Sequence, residues 1–162
     1  LGAIAAYLKS LPATQQDPSS FVANPQTASE LRAGVNNSRG AELYVDNCAA
    51  CHRSDAEGYP RVFPSLAGNS TILAKDPTTL VRLVLEGSEM PSTVHAPSNL
   101  GMPGFAERLS DADVAELGTF LRGSFGNKAP AVTATQVAKV RRDIEKMRTE
   151  HDEAAHDPTE VE

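Results

Sequence analysis

The chain has 162 residues, a formal net charge of −6, few aromatic residues and no tryptophan. This length fits one compact domain with extensions rather than two ordinary domains. Five acidic residues among the last twelve supply most of the negative charge, so the remainder has neither a basic stripe for nucleic acid nor a polybasic patch for anionic lipid. No apolar run of about eighteen residues occurs, so no transmembrane segment is predicted.

The chain is predicted to open on the end of a helix and a linker. Apolar residues recur at helical spacing within residues 1–12, and Pro12 closes that segment. Residues 13–36 are rich in Pro, Ser, Asn and Gln, a composition typical of linkers and wrapping loops. The folded unit is therefore expected over residues 37–132.

Three helices are predicted inside this domain, and no strand pattern or internal repeat is apparent. The first runs from about Ser38 to Cys48. The second has Asp76 as its N-cap and ends at Gly87, and the third begins after Ser110. The residues predicted to face inward in the second and third helices are Leu80, Val81, Val84, Leu85, Val114, Leu117, Phe120 and Leu121. The fold class is therefore all-α.

A further helix is predicted at the C-terminal end, over residues 133–150, followed by an acidic disordered tail over 151–162. The helix carries an apolar stripe made of Val137, Val140, Ile144 and Met147. The stripe is too short for a stable coiled coil alone. It either docks a partner protein or folds back on the surface of the domain.

Cys48, Cys51 and His52 form the C-x-x-C-H motif that attaches c-type haem. Two cysteines three residues apart at a helix end can each form a thioether with one vinyl group of a porphyrin. The adjacent histidine is then placed under the ring, where it can ligate the iron. The motif therefore predicts one covalent haem.

Two other chemistries use cysteines at this spacing. Cys48 and Cys51 can form a disulfide or a thiol redox pair, but a thioredoxin-like pair belongs beside a βαβ pattern that is missing here. A structural zinc site needs four ligands, and Cys48, Cys51, His52 and His95 have spacings unlike those of the usual zinc fingers. The helical context favours haem.

Met102 is the predicted sixth ligand of the iron. A Met thioether or a second His is the usual choice in a low-spin site. Met102 lies in Gly101–Phe105, where Gly and Pro shape a tight loop that can press a thioether onto the iron. Met90, which precedes a proline, is the second candidate, and His95 and Met147 are weaker ones. The alternative for any of these methionines is a gap-filling core residue.

The proximal imidazole is expected to donate its other N–H to a carbonyl, because such a bond fixes the ring and its donor strength. Pro64 is the candidate for that carbonyl, the alternative being an ordinary turn proline. Tyr59, Arg61 and Phe63 are candidates for the edge of the haem. Arg61 either pairs with a propionate or is solvated.

The same residues carry a family resemblance. Gly40 and Tyr44 precede the motif, residues 63–69 read FPSLAGN, and residues 101–105 read GMPGF before the Ser110 helix. Over about residues 36–132 the chain resembles class I cytochromes c. It resembles more specifically the C-terminal haem domain of the three-haem cytochrome c subunit of bacterial membrane-associated dehydrogenases for alcohols, gluconate or aldehydes.

The resemblance implies a fold of helices and long loops wrapped around one haem c, with Gly40 at a crossing of the first and last helices near Phe120. It implies export to the periplasm, and it makes residues 1–12 the end of a preceding haem domain, so that the chain is a piece of a longer protein. The charged C-terminal end differs from membrane-associated members and favours a soluble assembly, such as one with a molybdenum hydroxylase. The pocket residues expected on this basis are Tyr59, Arg61, Phe63, Pro64, Leu66, Met90, Pro103 and Phe105.

The expected function is one-electron transfer, without substrate chemistry, between a dehydrogenase subunit or neighbouring haem domain and a downstream acceptor. A soft thioether such as that of Met102 favours ferrous iron and raises the reduction potential. One alternative is a five-coordinate haem that binds a gas or peroxide, in which Met102 does not ligate. A third interpretation is a purely structural assembly module that docks its partner through the tail helix.

Overall fold

The computed structural model describes residues 2–11, 21–89, 91–92, 94 and 100–155. Helices dominate this part of the chain, as predicted. They are α1 (Gly2–Ser10), α2 (Gln26–Ala33), α3 (Arg39–Asn47), α4 (Ala49–His52), α5 (Ser70–Leu73), α6 (Thr78–Glu86), α7 (Asp111–Gly123) and α8 (Ala134–Ala155). Two short strands, β1 (Ser88–Glu89) and β2 (Gly101–Met102), complete the described elements.

Helices α3 and α7 cross at Gly40, as the resemblance implied. A Cβ atom on Gly40 would lie 2.5 Å from both the Glu116 carbonyl oxygen and the Phe120 Cβ. The two helix backbones therefore approach more closely than any side chain at this position allows. This crossing fixes α3, whose C-terminal end presents the cysteine motif.

The start of α7 follows the predicted capping pattern. Ser110 Oγ accepts a hydrogen bond from the Asp113 backbone N–H, and the Asp113 carboxylate accepts one from the Ser110 backbone N–H. This reciprocal arrangement satisfies two N–H groups that a helix start leaves unpaired. Ser110 and the Arg39 side chain together lower the pKa of Asp113 below its usual range by donating hydrogen bonds to its carboxylate.

Helix α2 lies within the predicted linker of residues 13–36 and packs against the folded domain. Thr27 and Ala28 of α2 are buried. The Asn24 N–H donates to the Phe125 carbonyl at 3.2 Å, and the Phe125 N–H donates to Thr27 Oγ1 at 3.4 Å. Because α2 carries few apolar residues, its burial leaves little periodic signal in the sequence.

The C-terminal helix α8 folds back on the domain. Val137, Val140 and Ile144 are buried, whereas Met147 is 40% exposed. The helix contacts α6 and α7, so its stripe is covered by this chain's own core. Helix α8 continues to Ala155, beyond the predicted end at 150. Residues 156–162 of the predicted disordered tail lie outside the described residues.

Helix α6 and the strand pair hold the segment around Met102. The four core residues predicted for α6 are all buried, and the helix ends at Gly87 as expected. It begins at Thr78, whose backbone N–H donates to the Asp76 carboxylate. Ser88 pairs with Met102 in an antiparallel ladder, which was not predicted because two residues cannot show a strand period. The all-α class is confirmed, because the ladder is only two residues long.

Candidate haem attachment site

The motif lies where α3 ends and the single turn α4 begins. The Cys48 N–H donates to the Tyr44 carbonyl at 2.9 Å, and the His52 N–H donates to the Cys48 carbonyl at 2.9 Å. Cys48 is buried and Cys51 is exposed, and both are free thiols. The helical turn therefore directs one thiol into the core and leaves the other at the surface, with the imidazole beside them.

The His52 side chain is buried, and its Nδ1 lies 3.0 Å from the Pro64 carbonyl oxygen. This is the carbonyl that was predicted from the sequence. The Nδ1–H group donates a hydrogen bond to the Pro64 carbonyl, which leaves the lone pair of Nε2 to bind a metal. Burial lowers the pKa of His52, although the bond to Pro64 opposes this effect. The imidazole is thus held neutral and oriented, as a metal ligand must be.

A glycine brings the Pro64 carbonyl within reach of His52. Gly58 has a φ of 62°, and its N–H donates to the His52 carbonyl at 3.1 Å. A Cβ on Gly58 would overlap the Phe63 carbonyl oxygen and lie 2.7 Å from that of Pro64. The loop segments at Gly58 and at Phe63–Pro64 therefore pass this closely because Gly58 has no side chain.

Tyr44 makes a hydrogen bond near the motif that was not predicted from the sequence. Its hydroxyl donates to the Arg53 carbonyl at 2.5 Å. Arg53 directly follows His52 and has a φ of 64°, which is uncommon for a residue with a side chain. Burial raises the pKa of Tyr44, so the hydroxyl remains a donor at ordinary pH. The bond fixes the turn immediately after the proximal histidine.

Asn127 makes further hydrogen bonds that were not predicted. Its side chain is 2% exposed. Oδ1 accepts from the Gly68 N–H at 2.9 Å, and Nδ2 donates to the Leu66 carbonyl at 3.1 Å and the Leu121 carbonyl at 2.8 Å. Asn127 thus joins the loop that follows Pro64 to the end of α7. Its position in a loop 59 residues beyond Gly68 gives no periodic signal that could have found it.

Replacing Asn127 with alanine is expected to destabilise the holoprotein by about 3 kcal/mol, because several buried backbone groups lose their partner. Asn24→Ala is the matched control, since exposed Asn24 accepts one local bond from the Gln26 N–H. This control should cost less than about 1 kcal/mol. Denaturant midpoints measure both variants, and equal losses would refute a special role for Asn127.

Met102 is the second residue of β2. Its side chain is partly buried and packs against the core cluster. The neighbouring Gly87 would overlap the Met102 carbonyl if it carried a Cβ. Of the competing candidates, Met90 and His95 lie outside the described residues. Met147 accepts from Arg82 Nη2 at 3.5 Å, which assigns it to the contact between α8 and α6.

The remaining pocket candidates divide by burial. Phe105 is buried and Leu66 is partly buried against the core. Tyr59 is 48% exposed, and its ring lies edge-on to that of Phe63 with centroids 6.1 Å apart. Arg61 is exposed.

Pro103 is also exposed, beside partly buried Met102. The structure therefore pairs Tyr59 with Phe63 and leaves Arg61 and Pro103 accessible to solvent.

The donor set fits haem attachment better than it fits thiolate chemistry. Burial, with a smaller contribution from Cys51, raises the pKa of Cys48 to about 12. Reactive thiols instead need a stabilised thiolate. The described residues also contain no group of three or more His, Cys, Asp or Glu side chains placed to hold a metal ion. Two free thiols beside a neutral, oriented imidazole suit two thioethers and one iron ligand. A helical domain with two cysteines and a histidine in this arrangement is characteristic of the class of c-type haem proteins.

The family comparison agrees with this class. A family model described as "Cytochrome c" matches residues 38–124. The chain belongs to the cytochrome c family, in which covalent haem c and electron transfer are the rule.

The chain is also similar to subunits of several dehydrogenases. It is 44% identical over 87% of its length to the alcohol dehydrogenase (quinone) cytochrome c subunit of Gluconacetobacter polyoxogenes. It is 42% identical over 87% of its length to the gluconate 2-dehydrogenase cytochrome c subunit of Pantoea cypripedii. The fructose dehydrogenase cytochrome subunit of Gluconobacter japonicus is 31% identical over 87% of the chain.

The chain spans 31%, 32% and 32% of the lengths of these three relatives, respectively. Across the part of the chain that the structure describes, no helix combines the length and apolar character needed to cross a membrane.

Proposed function

We propose that this chain is a single-haem domain that transfers one electron at a time. Cys48 and Cys51 would hold the haem through thioethers, and His52 and Met102 would ligate its iron. The observation that carries the proposal is the His52 imidazole, held 3.0 Å from the Pro64 carbonyl beside two free thiols. This geometry leaves Nε2 as the metal-binding nitrogen.

The protein side chains tune and hold the site. The haem, when bound, supplies the one-electron redox change. His52 donates from Nδ1 to Pro64 and so keeps one tautomer and one orientation. Met102 contributes a soft thioether, which favours ferrous iron. We propose that the pocket is completed by Tyr59, Arg61, Phe63, Leu66, Met90, Pro103 and Phe105.

The names of the relatives indicate the kind of partner that this domain has. Two of them are cytochrome c subunits of alcohol and gluconate dehydrogenases. We propose that the domain receives electrons from a dehydrogenase subunit or from a neighbouring haem domain and passes them to a downstream acceptor in the periplasm. Residues 1–12 are then the end of the preceding domain. The apolar side chains Ile4, Tyr7 and Leu8 of α1 are all exposed, which suits a helix whose partner lies elsewhere.

Replacing Met102 with alanine tests the ligand assignment. The variant is expected to lose the weak long-wavelength band of a sulfur–iron bond in the ferric protein. Its reduction potential should fall by on the order of 100 mV, because the soft thioether no longer favours ferrous iron. Absorption spectra of both redox states and a potentiometric titration measure these changes.

Met147→Ala is the matched control, since Met147 contacts Arg82 on α6. It should leave the spectrum and the potential unchanged. If Met102→Ala leaves the spectrum unchanged and the sulfur–iron band is present, Met90 is the ligand. If the unchanged spectrum is high-spin and lacks the band, it supports a five-coordinate haem that binds a gas or peroxide. A wild-type protein without haem would overturn the whole proposal.

A further inference from the structure

The segment that follows Met102 is anchored to α6 by its backbone. The Phe105 N–H donates to the Val84 carbonyl at 3.0 Å, and the Ala106 N–H donates to the Leu85 carbonyl at 3.2 Å. Phe105 is buried. On the N-terminal side, Met102 and Gly101 pair with β1 in a ladder of two residues, and so short a ladder adds little stability by itself. The position of Met102 therefore depends on the anchoring of the residues that follow it.

Arg141 of α8 donates hydrogen bonds to the same segment. Nη1 donates to the Ala106 carbonyl at 2.7 Å, and Nη2 donates to the Leu109 carbonyl at 3.0 Å. Nε donates to Asp111 Oδ1 at 2.8 Å. The planar guanidinium thus joins three acceptors in a geometry that a lysine ammonium cannot reproduce. Its side chain is 23% exposed, so this contact is only partly screened by solvent.

Other charged residues of α8 make different contacts. Lys139 pairs with Asp143 and Lys146 pairs with Glu150, both within the helix. Arg148 approaches Glu86 of α6 at 3.9 Å, with its side chain 62% exposed. Such exposed pairs contribute little to stability. Arg141 differs from them because it is partly buried and bonded to backbone carbonyls of the segment after Met102.

We propose that Arg141 is a positioning residue for the Met102 ligand and that α8 acts as a strap across residues 102–109. Val137, Val140 and Ile144 seat the helix on the core, and Arg141 transmits this anchoring to Ala106 and Leu109. The strap keeps residues 102–109 in position and so holds the Met102 thioether on the iron. This inference rests on the proposed ligation by Met102.

Imidazole binding to the ferric holoprotein tests the strap, because added imidazole competes with the thioether for the iron. Arg141→Gln is expected to bind imidazole about tenfold more tightly, equivalent to about 1.4 kcal/mol. Its sulfur–iron band should also weaken. Arg141→Lys should show a smaller gain in imidazole affinity, since lysine keeps the positive charge but cannot donate to all three acceptors in the same geometry. Arg148→Gln, an arginine variant on the same helix, should bind imidazole like the wild type.

The outcomes separate the two proposals. A wild-type protein without the sulfur–iron band overturns Met102 ligation, and the strap with it, before any variant is made. If the wild type has the band, unchanged imidazole affinity in Arg141→Gln, or an equal gain in Arg148→Gln, overturns the strap alone. Should Arg141→Gln not accumulate, Asp111→Asn removes its ionic partner. For Asp111→Asn, an imidazole affinity about threefold higher than that of Arg148→Gln supports the strap, and an equal affinity overturns it.

Discussion

Replacing Gly40 with alanine is expected to destabilise the folded domain by about 3 kcal/mol or more. The new Cβ would meet the Glu116 carbonyl oxygen and the Phe120 Cβ, each at 2.5 Å. Neither atom can rotate away, because one is backbone and the other is fixed to it. The helices α3 and α7 must therefore separate, which disturbs the contact between the Tyr44 and Phe120 rings, now 5.7 Å apart.

Helix propensity acts in the opposite direction and is the smaller effect. Alanine is favoured over glycine inside a helix by about 1 kcal/mol. Gly123→Ala isolates this contribution, since Gly123 is the last residue of α7 and a Cβ there meets nothing within 4 Å. Gly123→Ala should be neutral or slightly stabilising. Denaturant unfolding of both holoproteins measures the difference, and a stable Gly40→Ala would contradict the crossing described here.

Sequence reasoning is most informative where the signal is local. The attachment motif occupies five consecutive residues, so Cys48, Cys51 and His52 are predicted from their spacing. The capping pair of Ser110 and Asp113 lies within one helical turn, and the structure confirms it. The core faces of α6 and α7 follow from a period of 3.6 residues, which is visible over two or three turns.

The residues that were missed act over long separations along the chain. Asn127 reaches back to Leu66 across 61 residues, and Arg141 reaches the Ala106 carbonyl across 35 residues. Both are polar side chains that bond to backbone carbonyls. A backbone acceptor has no residue identity, so no pattern in the sequence can pair it with its donor. The stripe of α8 was predicted, but its choice of surface needed the structure.

Replacing Gly58 with alanine is expected to alter both the stability and the reduction potential. Gly58 has a φ of 62°, and a Cβ there would lie 2.7 Å from the Pro64 carbonyl oxygen. The left-handed conformation costs an alanine about 1–2 kcal/mol. Displacing the loop that carries Phe63 and Pro64 should cost about 2 kcal/mol more. The total loss is therefore about 3 kcal/mol.

Gly34→Ala separates the two contributions. Gly34 has a φ of 66° as the C-cap of α2, and a Cβ there meets nothing within 4 Å. This variant has the same backbone cost without the collision. It should lose about 1–2 kcal/mol in denaturant unfolding and keep the wild-type potential.

The effect of Gly58→Ala on the potential follows from the bond that it disturbs. Moving the Pro64 carbonyl away from His52 Nδ1, now 3.0 Å distant, makes the imidazole a weaker electron donor. Ferric iron loses more stabilisation than ferrous iron, so the potential should become more positive by about 60 mV, a tenfold change for one electron. A stability loss with an unchanged potential would show that the Pro64 bond does not tune the iron.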